Sequence, residues 1–121
     1  MRNLKRLLAV PVLASLLPVM ATAHVSFDHA EPKVGAKVAQ SPTEITIWFS
    51  DDVEPSCCAI EVRDGSGKQV DKKDVHVDPK NKCAVIVSVP SLAAGSYKVV
   101  WRAACVDKHK VKGSFKFEVK D

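Results

Sequence analysis

The chain has 121 residues, 46% of them hydrophobic and 26% charged, and its 18 basic and 14 acidic side chains give a formal net charge of +4. That length accommodates one domain with a single core and is short for two. The lysines are interleaved with carboxylates and do not cluster with aromatic residues, which argues against a nucleic-acid surface.

Residues 1–23 read as a secretory leader: a basic start, "MRNLKR", an apolar run, "LLAVPVLASLLPV", and the small-x-small end Ala21-Thr22-Ala23. The apolar run falls short of the roughly 20 residues of a membrane span, and Pro11 and Pro18 interrupt it. Cleavage after Ala23 makes residues 24–121 the mature domain and His24 its first residue. Arg2, Lys5 and Arg6 leave with the leader, so 15 basic residues then face 14 acidic ones, and both methionines, Met1 and Met20, are removed. No later apolar stretch has the length of a membrane span, so no membrane insertion is expected after cleavage.

Taken in order, the mature chain reads as strands over 24–30, 44–50, 58–64, 74–77, 83–90, 96–105 and 111–119, rich in β-branched and aromatic residues and mostly alternating in polarity. Turn signals separate them, among them "QSPTE", "RDGSGK", "DPKN" and "LAAGS". About seven strands and no helical period predict an all-β, immunoglobulin-like sandwich. Alternation points Tyr97, Val99, Trp101 and Ala103 inward, and Lys98 and Arg102 outward. Trp48 is also expected in the core, and His76, between two valines, on the solvent side. His29 shares parity with Val25 and Phe27, which places it at the core edge with a hydrogen bond, close enough in sequence to His24 to brace it. Asp51 and Asp52 read as a solvated turn.

Metal chemistry enters at the two ends of the mature chain. A terminal amine and an imidazole have ordinary pKa values of about 8 and about 6.5, so both supply neutral nitrogens near neutral pH. His24 thus chelates through its amine and Nδ1 together. Cys105, Asp107 and His109 continue the parity of Tyr97, and at ~3.3 Å rise per residue Asp107 and His109 emerge about 7 Å apart on one face. Three nitrogens and one oxygen suit tetragonal copper(II); zinc accepts similar ligands, but the divalent affinity order favours copper.

The order of a leader, a first mature histidine, "AEPKVGAKV", "SPTEITIWFSDDVEP" and "LAAGSYKVVWRAACVDKHKVKGSFKFEV" resembles the CopC/PcoC family of periplasmic copper-resistance proteins. "LAAGSYKVVWRA" and the D-x-H followed by "GSFKFEV" are the most specific parts. The resemblance implies a Greek-key β-sandwich and one copper(II) ion held by His24, Asp107 and His109. The methionine-rich copper(I) loop of some members has no counterpart here, since "RDGSGKQVDKKDVHVDPKN" contains no methionine and a single histidine, His76.

Four cysteines in an oxidising compartment read as disulfides, with three pairings available. An immunoglobulin-like strand order brings Cys57, Cys58, Cys83 and Cys105 to the end of the sandwich that carries Asp107 and His109. Adjacent Cys57 and Cys58 disfavour bonding each other, so Cys105 is expected to join one of them and Cys83 the other. A thiolate copper(I) site from the same residues is the less favoured alternative. The function expected is therefore a non-enzymatic periplasmic copper carrier or buffer that hands its ion to a membrane copper transporter or another periplasmic acceptor. Two alternatives remain: a copper oxidase of the polysaccharide monooxygenase type, which shares an N-terminal histidine centre, and a metal-free immunoglobulin-like interaction domain.

Overall fold

The computed structural model describes residues 25–104 and 109–121. Those residues form eight strands: β1 (Phe27–Glu31), β2 (Lys37–Val38), β3 (Glu44–Phe49), β4 (Ala59–Arg63), β5 (His76–Asp78), β6 (Asn81–Ser88), β7 (Gly95–Ala104) and β8 (Lys110–Val119), with one 3₁₀ turn at Pro55–Cys57. One sheet has the order β1-β3-β6-β5 and the other β2-β8-β7-β4. The architecture is the expected all-β Greek-key sandwich. The strand absent from the sequence reading is β2, which has two residues and pairs parallel to β8 through Lys37↔Glu118 and Val38↔Val119. So short a segment carries no alternation to read. It is set by the preceding turn, where Gly35 takes φ +76 and donates its N–H to Lys116 O at 2.7 Å.

Alternation along β7 comes out as expected. Tyr97, Val99, Trp101 and Ala103 are buried, while Lys98 and Arg102 are exposed. Opposite them, Ile45 and Ile47 of β3 and Val85 and Val87 of β6 close the core from the other sheet. Each such buried aliphatic side chain contributes about 1.5–3 kcal/mol. Aromatic packing fills one end: Phe27 stacks on Trp101 at 5.7 Å, and Phe49 meets the same indole edge-on at 5.3 Å. At the other end Tyr97 Oη donates to Ala93 O at 2.6 Å, tying the start of β7 to the loop before it.

Two expectations are corrected here. His29 is not at the core edge: its side chain is 58% exposed. A register shift between Phe27 and His29 in the β1–β3 pairing breaks the parity that links His29 to Phe27. Trp48, directly across from His29, lies half-buried on the outer face because Ile45, Ile47 and Phe49 take the inward parity of β3, and there the two rings stack at 4.5 Å and 5°.

The crossover from β4 to β5 is organised by one buried carboxylate. Asp71 Oδ1 accepts the Val62 N–H at 2.8 Å, and Oδ2 accepts from Gln69 Nε2 and the Lys73 N–H. The first bond satisfies a donor on the edge strand β4; the last holds Lys73 at φ +59, a conformation unfavourable for a side chain with Cβ. Asp71→Ala should lower the unfolding free energy by about 1–3 kcal/mol, because it leaves the buried Val62 amide unpaired. Urea denaturation measures this. A second expected loss follows from Gly113, opposite Trp101 on β8: a Cβ there would sit 2.5 Å from the indole. Gly113→Ala should cost about 1–3 kcal/mol and alter tryptophan fluorescence.

Candidate metal centre

Pairing fixes what lies at the aromatic end of the sandwich. The β7–β8 ladder runs without interruption from Gly95↔Val119 to Ala104↔Lys110, so His109 immediately precedes the last pair. β1 enters at the same end, since Phe27 pairs with Phe49, the final residue of β3. Val25, next to His24 in the chain, is among the most completely buried side chains and belongs to the core cluster. Ser26 pins the entry: its N–H donates to Ser50 Oγ at 2.8 Å, and Ser50 returns its own N–H to Ser26 O. Further crosslinks tie the loop after β3 to this end: Val53 N–H donates to Lys82 O, and Glu54 N–H to Ala104 O, at the last residue of β7.

Of the three expected ligands, His24 and Asp107 lie outside the described residues. His109 is described and exposed, one residue before β8. The structure thus holds His109 and Val25, the neighbour of His24, at one end of the molecule. Among the described residues no three histidines, cysteines or carboxylates converge into a metal site. His76 faces solvent as expected, with Nδ1 2.8 Å from Asp74 O. His29 has its own partner, Asp28 Oδ2, at 2.6 Å from Nδ1.

The cysteines correct the disulfide expectation. Cys57, Cys58 and Cys83 are free thiols, and Cys105 lies outside the described residues. Cys83 has an environment separate from that of Cys57 and Cys58. The Cys58 thiol donates to Glu54 O across the 3₁₀ turn at 3.3 Å, on the β4 side. The Cys83 thiol, on β6, donates instead to Asp52 Oδ1 at 3.3 Å. Burial pushes the Cys58 thiol up to about 11, with Cys57 and Glu54 adding to the rise. Cys83 is raised as well, by burial first and then by Asp52 and Asp51.

One feature of this end went unread in the sequence. A cavity of about 480 Å³ is lined by Ser56, Cys57, Cys58, Arg102, Lys110 and Lys112, together with Ala103 and Val111. The signal was present as outward parity: the pairing places Arg102 directly opposite Lys112, and Lys110 opposite Ala104. That the cysteines before β4 border the same cations depends on β4 lying alongside β7, which one-dimensional alternation does not report.

Comparison with known proteins bears on these positions. YobA of Escherichia coli (strain K12) is 30% identical over 120 residues, covering 98% of this chain and 96% of its own length. Among solved structures, CopC from Methylosinus trichosporium OB3b superposes with a TM-score of 0.75 at 31% identity, over 80% of this chain and 94% of that one. PcoC from Escherichia coli, described as a methionine-rich copper-resistance protein, gives 0.71 at 26% identity, over 81% of this chain and all of its own. None of these descriptions names a catalytic activity. The family model described as the CopC domain matches residues 27–120, and the chain belongs to the CopC family.

Proposed function

We propose that this chain is an exported, periplasmic copper(II)-binding protein of copper homeostasis. Residues 1–23 are its cleaved leader, and residues 24–121 hold one copper(II) through the terminal amine and imidazole of His24, the Asp107 carboxylate and the His109 imidazole. The observation that carries the reading is the meeting of two distant chain segments: buried Val25 and the β8 entry at His109 share one end of a CopC-family sandwich. Residues from 25 and from 109 are far apart in sequence, so neither supplies a site alone.

The donor set explains a carrier or buffer role. Two histidines and a terminal amine provide neutral nitrogens, and one carboxylate offsets part of the dipositive charge, a combination that suits tetragonal copper(II). His109 adjoins the start of β8, and the chain beside His24 is crosslinked to the end of β3 by the Ser26–Ser50 hydrogen bonds, which lowers the ordering cost of the proposed site. The residues from 24 onward contain no methionine, so soft thioether coordination of the kind implied by a methionine-rich relative is absent from this reading. The ion is cargo, destined for a membrane copper transporter or another periplasmic acceptor.

The exported protein should bind one equivalent of copper(II) with an axial electron paramagnetic resonance spectrum showing nitrogen coupling. His24→Ala, His109→Ala, or one extra residue ahead of His24 should each weaken binding by about 100-fold or more, measured by competition with a chromophoric chelator. Unchanged affinity with the extra residue would remove the amine from the ligand set. Because a terminal amine ordinarily titrates near about 8, copper(II) affinity should also fall steadily as pH is lowered from about 8 to 6, protons competing for the same nitrogens.

A further inference from the structure

We propose that Cys57 and Cys58 together form a second metal site, holding one copper(I) ion as a two-coordinate bis-thiolate in the cationic cavity at the end of the β4-β7-β8 sheet. This site uses different residues from the copper(II) site and does not depend on it.

The two cysteines border one cavity. Adjacent residues at the end of the 3₁₀ turn, Cys57 and Cys58 line the same cavity of about 480 Å³ and are close enough that the Cys57 charge acts on the Cys58 thiol. Both are free and only part-buried. Their existing partners are weak ones: Ser56 Oγ lies 3.9 Å from Cys57 Sγ, and Cys58 donates to Glu54 O at 3.3 Å. A coordinating ion displaces such contacts at small cost.

Ligand number selects the ion. Among the described residues no third histidine, cysteine or carboxylate converges on the pair. Zinc, which takes four ligands, is left half-coordinated by two sulfurs, and hard cations require oxygen. Copper(I) is soft, favours thiolate, and is satisfied by two sulfurs in line.

Charge supplies an independent argument. Two thiols and one copper(I) give a complex of net charge −1, with one proton leaving each sulfur for solvent. Arg102, Lys110 and Lys112 line the cavity, and among the described residues that line it none is acidic. Glu54, whose carboxylate accepts the Ser56 hydroxyl at 3.2 Å, stands outside the described lining, and its charge opposes the three cations at Cys58. Arg102 and Lys112 are paired directly across β7 and β8, a like-charge arrangement that costs ~0.2–1 kcal/mol unless an anion lies between them. Cys83 is the built-in contrast. It is a single thiol bonded to Asp52, with Asp51 nearby, where an anionic complex is repelled.

The test is an anaerobic titration of the reduced full mature chain with copper(I) against bathocuproine disulfonate. Wild type, Cys83→Ser and Cys105→Ser should each withhold one equivalent, and X-ray absorption should show two sulfur neighbours and no nitrogen. Cys57→Ser and Cys58→Ser should each lower affinity by about 100-fold or more. Reversing the wall charges in Arg102→Glu/Lys112→Glu, with both thiols intact, should lower it by about 10-fold; this variant keeps the proposal testable if Cys58→Ser fails to fold. Copper(I) binding should persist in His109→Ala, which separates failure here from failure of the copper(II) reading. The proposal is overturned if Cys57→Ser retains wild-type affinity, if Cys105→Ser loses as much as Cys57→Ser, or if Cys57 and Cys58 of the exported protein are found in disulfides.

Discussion

The β7–β8 ribbon is the constraint from which the rest of the molecule follows. Ten consecutive antiparallel pairs bind the two longest strands, and β7 sends four alternate side chains, Tyr97, Val99, Trp101 and Ala103, into the core. A ladder this long admits no slip, because shifting it by one residue would turn Trp101 to solvent and bring Arg102 into the core. Its last pair, Ala104↔Lys110, fixes both ends of the stretch containing the D-x-H. The family resemblance is strongest along this same ribbon, so the most specific sequence and the most constrained structure coincide.

Around that ribbon the sandwich brings distant segments to one end. Phe27 stacks on Trp101, and the Ser26–Ser50 bonds join the start of the domain to the end of β3. Glu54 N–H bonded to Ala104 O carries the 3₁₀ turn, and with it Cys57 and Cys58, to the end of β7. One end of the fold therefore gathers the His109 imidazole, the chain entry at Val25 and the thiols of Cys57 and Cys58, the groups on which the two proposed copper sites draw. The two sets differ in electrostatics as well as in softness: the thiol pair shares its cavity with three cations, whereas a carboxylate belongs to the proposed copper(II) set. Residues 24–121 contain no methionine, so the soft sulfur donors they can offer are thiols.

Much of the fold was legible because alternation is a physical record of which side faces the core. The long strands β3, β4, β6, β7 and β8 were found within a few residues, and the inward set of β7 was read correctly. Parity failed at β1, where the bulge after Phe27 reverses the outlook of His29, whereas the outward side of Trp48 follows from the alternation of β3 itself, with Ile47 and Phe49 buried on either side. A bulge inserts a residue without any fixed sequence mark, so counting by twos across it gives the wrong side. The cysteines failed for a different reason. Their number and compartment suggested bridges, but bridging depends on distances between two sheets, and the hydrogen bonds of Cys58 to Glu54 and of Cys83 to Asp52 direct those thiols apart.

By itself the sequence determined the all-β class, the core face of the central strands and the CopC resemblance, and it named the nitrogen and oxygen donors of the proposed copper(II) site, since each is written in residue type and local spacing. Only the tertiary structure decided that Val25 and His109 share an end, that His29 lies outside, that Cys57, Cys58 and Cys83 stay unbridged, and that two thiols adjoin Arg102, Lys110 and Lys112. These depend on which strand lies beside which and on where a register shifts. The β1–β3 pairs join residues 15 to 22 positions apart and the β4–β7 pairs residues 35 to 43 apart, separations over which local pattern carries no information.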